Sequence, residues 1–392
     1  MASSSSATQS ILAFGLEMEF LIRPNARMTS TLIKQGWDAG VKPNNKDEQR
    51  KTTNRAIMHR AIAGSLRAAG VPAGLNTQNF KEWTVVDERS LDEVGDYWRV
   101  ELVSRTMFTV EIWQYEVDQV FRGLLADWDI RLTTGCSMHV HVSTGITQET
   151  RYTMDQIRRI MKGIALFDDA ITKIMPAYRK NNEWAMSNFQ GREAPARLKQ
   201  LYAAVPTHTW APLFERFDKV KMKQMVFLEL GQSRYMSWNF SNLNAQCGTV
   251  EFRRPPAVGS APEAKHWAGV TLGFVSQALI TDYTPYKSSK QYPPVISLSR
   301  FVNDGINRLG RTCQGAVNNA ALVENRSAAA PHTAAELQAI ARKKAEKNSR
   351  GSPFVEKANS RPNTPVSRDS SPGAMSNASN GSGKSRKKHR WF

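Results

Sequence analysis

Four short segments carry residues whose types and spacing could do chemistry. In Phe14–Ile22, strand alternation puts Leu16, Met18 and Phe20 on one side and Glu17 and Glu19 on the other. The pattern recurs three times. Val100 and Leu102 oppose Arg99 and Glu101 in Arg99–Ser104; Met138, Val140 and Val142 oppose His139 and His141 in Ser137–Ser143; Val250 and Phe252 oppose Glu251 and Arg253 in Thr249–Arg253. Each segment taken singly reads as an ordinary half-exposed strand with a solvated polar face. Taken together, the polar sets are nearly all Glu, His and Arg. Glu17 and Glu19 would stand about 7 Å apart along a strand. Their repulsion is about 2 kcal/mol at an effective dielectric of about 20, so a sheltered face of this composition calls for a cation. Carboxylates with a histidine suit Mg²⁺ when substrate phosphates complete its shell, whereas an all-His or Cys-rich set would indicate zinc. An arginine beside such a site braces a planar phosphoryl or carboxylate group through its fork of donors. The combination points to phosphoryl transfer from a nucleotide.

Helices and strands must bring these segments together. Asn54–Gly70 predicts an amphipathic helix, with Met58, Ile62, Leu66 and Ala69 on one face, Gly70 at the C-terminal cap and Pro72 beyond it. Ile157, Ile160, Met161, Ile164, Phe167, Ile171 and Ile174 recur at helical steps up to Pro176, and a third helix is expected over Glu263–Leu279. Short alternating segments between long helices predict an α+β domain, a mostly antiparallel curved sheet packed by helices. The expected layout is a disordered stretch 1–10, one catalytic domain 11–325 and a disordered, basic, Ser/Pro-rich tail 326–392. In that tail only Ala334–Lys347 has weak helical character, and apolar residues are too few to offset ordering entropy.

Composition excludes several classes. The chain has 392 residues, 41% hydrophobic and 22% charged, enough for a large core. The tail from Arg326 holds 14 basic and 4 acidic residues, so it accounts for +10 of the net +18. No run reaches the roughly 18 apolar residues of a membrane span; Trp267–Ile280 comes nearest but contains Thr271, Ser276 and Gln277. Met1–Ser10 lacks a basic n-region, and Cys136, Cys247 and Cys313 lack disulfide density or Cys-x-x-Cys spacing. These features predict a reducing compartment, cytoplasmic or nuclear, and no membrane partner. The cluster Lys384, Arg386, Lys387, Lys388, His389 and Arg390 reads either as a patch for nuclear import, nucleic acid or an acidic partner, or as a solvated basic terminus.

Six motifs in order carry a resemblance. Gly15–Phe20, Trp83–Ser90, Val100–Ser104, Gly135–Ser143, Arg234–Asn239 and Gly248–Arg253 together resemble the amidoligase family, grouped with the glutamine synthetase and glutamate-cysteine ligase superfamily of ATP-dependent carboxylate-amine ligases. The resemblance implies a fold like the glutamine synthetase catalytic domain. It further implies ATP and Mg²⁺ or Mn²⁺ as cofactors, and a small carboxylic acid or amino acid joined to an amine through an acyl phosphate. Glu17, Glu19, Glu101 and Glu251 are implied to bind two or more divalent cations, with His139 on the nucleotide-side metal. His141 would share that task or contact substrate, and Arg253 and Glu251 would serve the chemistry. Arg234 and Asn239 would lie along the nucleotide or the carboxylate substrate. Where relatives have Asp-Gly-Ser, this chain has Asp87-Glu88-Arg89-Ser90, a loop whose backbone cannot approach a ligand as glycine would allow. Arg105 stands where a proline usually follows Ser104.

Two other readings predict different behaviour. A metal-dependent hydrolase would use His139-x-His141 without ATP and leave Glu17, Glu19, Glu251 and Arg253 without roles. A catalytically inactive binding protein would depend on the basic tail and tolerate Glu251→Gln. Thiol catalysis by Cys136 or Cys247 lacks a paired histidine. Residues that select the acid and amine are expected in the loops Ala26–Thr53 and Tyr178–Ser233.

Overall fold

The computed structural model describes residues 11–75, 80–245, 248–329 and 331–349. The stretch 1–10, Cys247 and the basic cluster Lys384–Arg390 lie outside them. Alternating apolar residues drive nine strands into one sheet among the described residues: β1 Ala13–Pro24, β2 Ala73–Gly74, β3 Trp83–Val86, β4 Trp98–Val103, β5 Met107–Phe108, β6 Trp128–Arg131, β7 Met138–Ser143, β8 Trp238–Asn239 and β9 Val250–Phe252. Their order is β2-β3-β4-β1-β7-β9-β8, with β5 and β6 also pairing β1. The sheet is open, and every pair except the parallel β2–β3 is antiparallel. All four alternating segments are therefore strands, and all four lie side by side.

Helices cover the apolar face. Phe14 and Phe20 of β1 meet Trp113 and Phe121 of the helix Trp113–Asp127 edge to face, with ring centroids 5.3 and 6.3 Å apart. Phe252 of β9 stacks on Trp238, which in turn packs on Phe274 of the helix Ala261–Ala278. That helix lies close against Val295–Leu309, where a Cβ at Gly305 would overlap the Gly273 carbonyl. No helix among the described residues is long and apolar enough to cross a membrane.

The three expected helices are present at Glu48–Ala68, Met154–Ile174 and Ala261–Ala278. The first begins six residues early because Asp47 caps it by accepting from Arg50 N, ahead of any apolar periodicity. A larger difference falls in the tail, where Ala334–Ser349 is a helix packed on the domain. Its docking uses lysines, which a criterion based on apolar area does not register.

His266, 4% exposed, accepts from Asn318 N at 3.0 Å and has an unpartnered Nε2. Burial lowers its pKa to about 4. The unfolded chain thus binds a proton that the native chain refuses, so stability is present above about pH 6.5 and declines as pH falls toward 4. Wild type should lose about 3 kcal/mol more than His266→Asn between pH 7 and 4, read by urea unfolding.

Candidate metal and phosphoryl-transfer site

Strand register determines which polar residues meet. Glu17 lies opposite His139, Glu19 opposite Glu101, His141 opposite Glu251, and Glu251 opposite Asn239. Because side chains alternate, these residues share one face of β4, β1, β7, β9 and β8. That face is not solvated. Glu19, Glu101, His139 and Glu251 are 4%, 6%, 3% and 2% exposed, which excludes the reading of an idle polar surface.

The contacts are dense around Glu17. One oxygen lies 2.9 Å from His139 Nδ1 and the other 3.1 Å from His141 Nε2. Glu251 Oε1 stands 3.7 and 3.8 Å from the same two ring nitrogens and pairs with Arg253, while Asn239 Nδ2 donates to Glu251 Oε2 at 2.7 Å. Glu19 accepts from Ser137 N and Oγ at 2.8 and 2.7 Å, and Ser137 Oγ also lies 3.0 Å from His139 Nε2.

Electrostatics follow from burial and neighbours. Burial favours the neutral form of Glu17, but the His141 charge and the hydrogen bonds from both histidines outweigh it and hold the carboxyl well below the usual range. Burial likewise opposes ionisation of Glu251, and Arg253, then His141, reverse the balance and lower it. Glu101 goes the other way. Burial and then repulsion from Glu17 and Glu88 push it well above the ordinary carboxylate value.

Three groups of donors could each hold an ion: Glu17, His141 and Glu251; Glu17, Glu101 and His139; and Glu19, Glu88 and Glu101. Within each, one ligand atom per residue lies within 4.8 Å of the others. Carboxylate oxygens with imidazole nitrogen fit a hard divalent cation. Glu101, 6% exposed, belongs to two of the three groups.

Eight of the nine residues singled out in the sequence come together, namely Glu17, Glu19, Glu101, His139, His141, Asn239, Glu251 and Arg253. Arg234 stands apart from these contacts, its guanidinium 5.8 Å from the centroid of the Tyr235 ring. Three contributors were missed. Ser137 has the same parity as His139 and His141, so alternation contained the signal. Glu88, 5% exposed, lies two residues beyond Val86, which pairs with Glu101. Parity could have placed it on this face, but it stood out only as a departure from a glycine. Arg179, 2% exposed, donates to the carbonyls of Arg253 and Arg254 at 2.6 and 3.0 Å and fixes the chain after β9. No pattern in the sequence marks it. Cys136 packs with Leu21 and Leu91, and burial pushes its thiol up, which disfavours a thiolate nucleophile.

Residues 10–275 match the family model described as "Putative amidoligase enzyme". No curated protein matches the chain.

Proposed function

The chain belongs to the amidoligase family, and from that premise we propose that it is an ATP-dependent carboxylate-amine ligase forming an amide or isopeptide bond through an acyl phosphate. The observation that carries this reading is the convergence of Glu17, Glu101, Glu251, His139 and His141, with Arg253 beside them, on one buried sheet face. The motif order also supports grouping the family with glutamine synthetase and glutamate-cysteine ligase. We assign Glu17, Glu251 and His141, and Glu17, Glu101 and His139, as holders of Mg²⁺ or Mn²⁺. The ion supplies charge neutralisation to phosphoryl oxygens. Everything else is positioning by the protein.

A carboxylate oxygen of the acid attacks the γ-phosphorus of ATP and ADP departs. The amine nitrogen then attacks the acyl carbon, phosphate leaves, and the amine gives up a proton. Arg253 presents a fork of donors to the transferring group. Asn239 keeps Glu251 oriented, and Ser137 keeps His139 oriented through Nε2.

Full-length protein with Mg²⁺, ATP and hydroxylamine as surrogate amine should yield hydroxamate and ADP in equal amounts with one acid from a panel of amino acids and small carboxylic acids. Glu17→Gln should lower both products at least about 1,000-fold while unfolding remains cooperative. ADP release indifferent to that substitution would overturn the assignment.

A further inference from the structure

The helix Ala334–Ser349 carries three lysines onto the domain. A reciprocal cap closes its first turn, with Glu336 N donating to Thr333 Oγ1 and Thr333 N donating to Glu336. Lys343 and Lys344 stand four and three residues before Lys347, so all three share one side of the helix. Lys343 donates to both oxygens of Asp92 at 2.7 and 2.8 Å, and Lys344 lies 3.1 Å from Glu193 with its ammonium over the Tyr235 ring. Tyr235 in turn donates to Asn348 Oδ1 at 2.9 Å. Lys347 Nζ donates to both oxygens of Glu88, at 2.9 and 3.0 Å.

The three lysines are not equivalent. Asp92 and Glu193 belong to none of the three donor groups, whereas Glu88 has an oxygen within 4.8 Å of ligand atoms of Glu19 and Glu101. Glu101 in turn has one within 4.8 Å of ligand atoms of Glu17 and His139, so a single carboxylate separates the partner of Lys347 from the phosphoryl-transfer cluster. Burial disfavours the Lys347 charge, while Glu88, Glu19 and Glu101 attract it and Arg253 repels it. The side chain is 24% exposed, so water still reaches it. A primary amine thus stands beside the groups assigned to the phosphoryl donor. The cap and the two neighbouring ion pairs hold it there, which is the positioning an amine needs to meet an activated acyl group.

We propose that Lys347 is a modification site of the protein itself: its ε-amine is acylated in cis by the amino acid or small carboxylic acid that the site activates. This inference rests on the ligase reading and names the class of its amine, a lysine side chain borne on a basic helix. Once the γ-phosphoryl of ATP has moved to the acid, the Nζ lone pair forms a bond to the acyl carbon. The bond from that carbon to the phosphate oxygen breaks, and phosphate leaves with its electron pair. Nζ gives up two protons, one before attack and one as the amide forms; the departing phosphate takes one and water the other. Because the helix is tethered to the domain, the attack is intramolecular.

Full-length protein is incubated with Mg²⁺, ATP and the acid that yields hydroxamate, with hydroxylamine left out. Intact-mass measurement should show a single acyl group gained per chain, the mass of the acid less water, and peptide mapping should place it on Lys347. Lys347→Arg, which keeps the charge on Glu88, should lower the adduct at least about tenfold, and Lys343→Arg should retain it. Glu17→Gln should stay unmodified, alone and when mixed with active Lys347→Arg, because the helix serves its own domain. Hydroxamate without an adduct on Lys347 overturns this inference and leaves the ligase reading standing. An adduct that persists in Lys347→Arg, spreads over other lysines or appears on Glu17→Gln in the mixture does the same, since it would come from acyl phosphate released to solvent or from attack in trans. Neither hydroxamate nor adduct with any acid overturns both.

Discussion

Arg253→Met should cost about 3–5 kcal/mol of folding free energy, the range for removing one partner of a buried ion pair. The Arg253 and Glu251 side chains are 5% and 3% exposed, so the carboxylate left behind stays out of water. Its remaining donor is Asn239 at 2.7 Å, with the two histidine nitrogens no nearer than 3.7 Å. Arg253 is also the charge that does most to overcome burial and keep Glu251 ionised, so its loss drives that carboxyl upward. Arg253→Met/Glu251→Gln should lose less than Arg253→Met alone, because no buried charge is stranded. Urea unfolding of the two single variants and the double variant measures the coupling. A single variant within about 1 kcal/mol of wild type would mean that the pair is not a buried, mutually dependent one.

Glu101→Gln should do the opposite and stabilise the metal-free protein. The Glu101 pKa is raised by burial and by Glu17 and Glu88, so between the ordinary carboxylate value and the raised native one the folded chain binds more protons than the unfolded chain. Stability then falls as pH rises through that window. A neutral amide escapes the penalty. The expected gain is about 1–3 kcal/mol at pH 8, shrinking to nothing by about pH 4. The same substitution should lower the stabilisation by Mn²⁺, which for one site in wild type amounts to about 2.7 kcal/mol at a hundredfold excess over Kd, because only the group Glu17, His141 and Glu251 keeps all its ligands. Unfolding at two pH values, with and without Mn²⁺, separates these effects. A Glu101→Gln variant less stable than wild type at pH 8 would sink the account.

These opposite signs explain what the sequence could and could not disclose. Alternation is local, so Glu17, Glu101, His139 and Glu251 each advertised a polar strand face, and charge repulsion between neighbours hinted at a cation. Register is not local. Nothing within Phe14–Ile22 says that Glu17 will meet His139, 122 residues later. The family resemblance filled that gap for most of the set. It failed at Glu88, where a substituted glycine looked like damage to a loop and is instead a buried carboxylate facing the site. Arg179 and Arg254 were illegible for another reason: their partners are backbone carbonyls or a single distant Asp168, 3.8 Å from Arg254, and such partners leave no trace in residue type. The weak helical character of Ala334–Lys347 was legible, but the packing of the helix on the domain was not, because polar sequence was equated with freedom from structure, whereas Lys343, Lys344 and Lys347 pair with Asp92, Glu193 and Glu88.

The central position of β1 has a consequence for biogenesis. This strand leaves the ribosome first among the nine, yet its partners β4 and β7 lie about a hundred residues downstream, and β9 is synthesised later still. At about 5–20 residues per second, Glu17 waits roughly 10–50 s before Glu251 exists to meet it. During that interval a nascent chain carries an apolar strand with unsatisfied edges, the kind of segment that aggregates or recruits chaperones. Until β4 is made, β1 has none of its described partner strands to pair with.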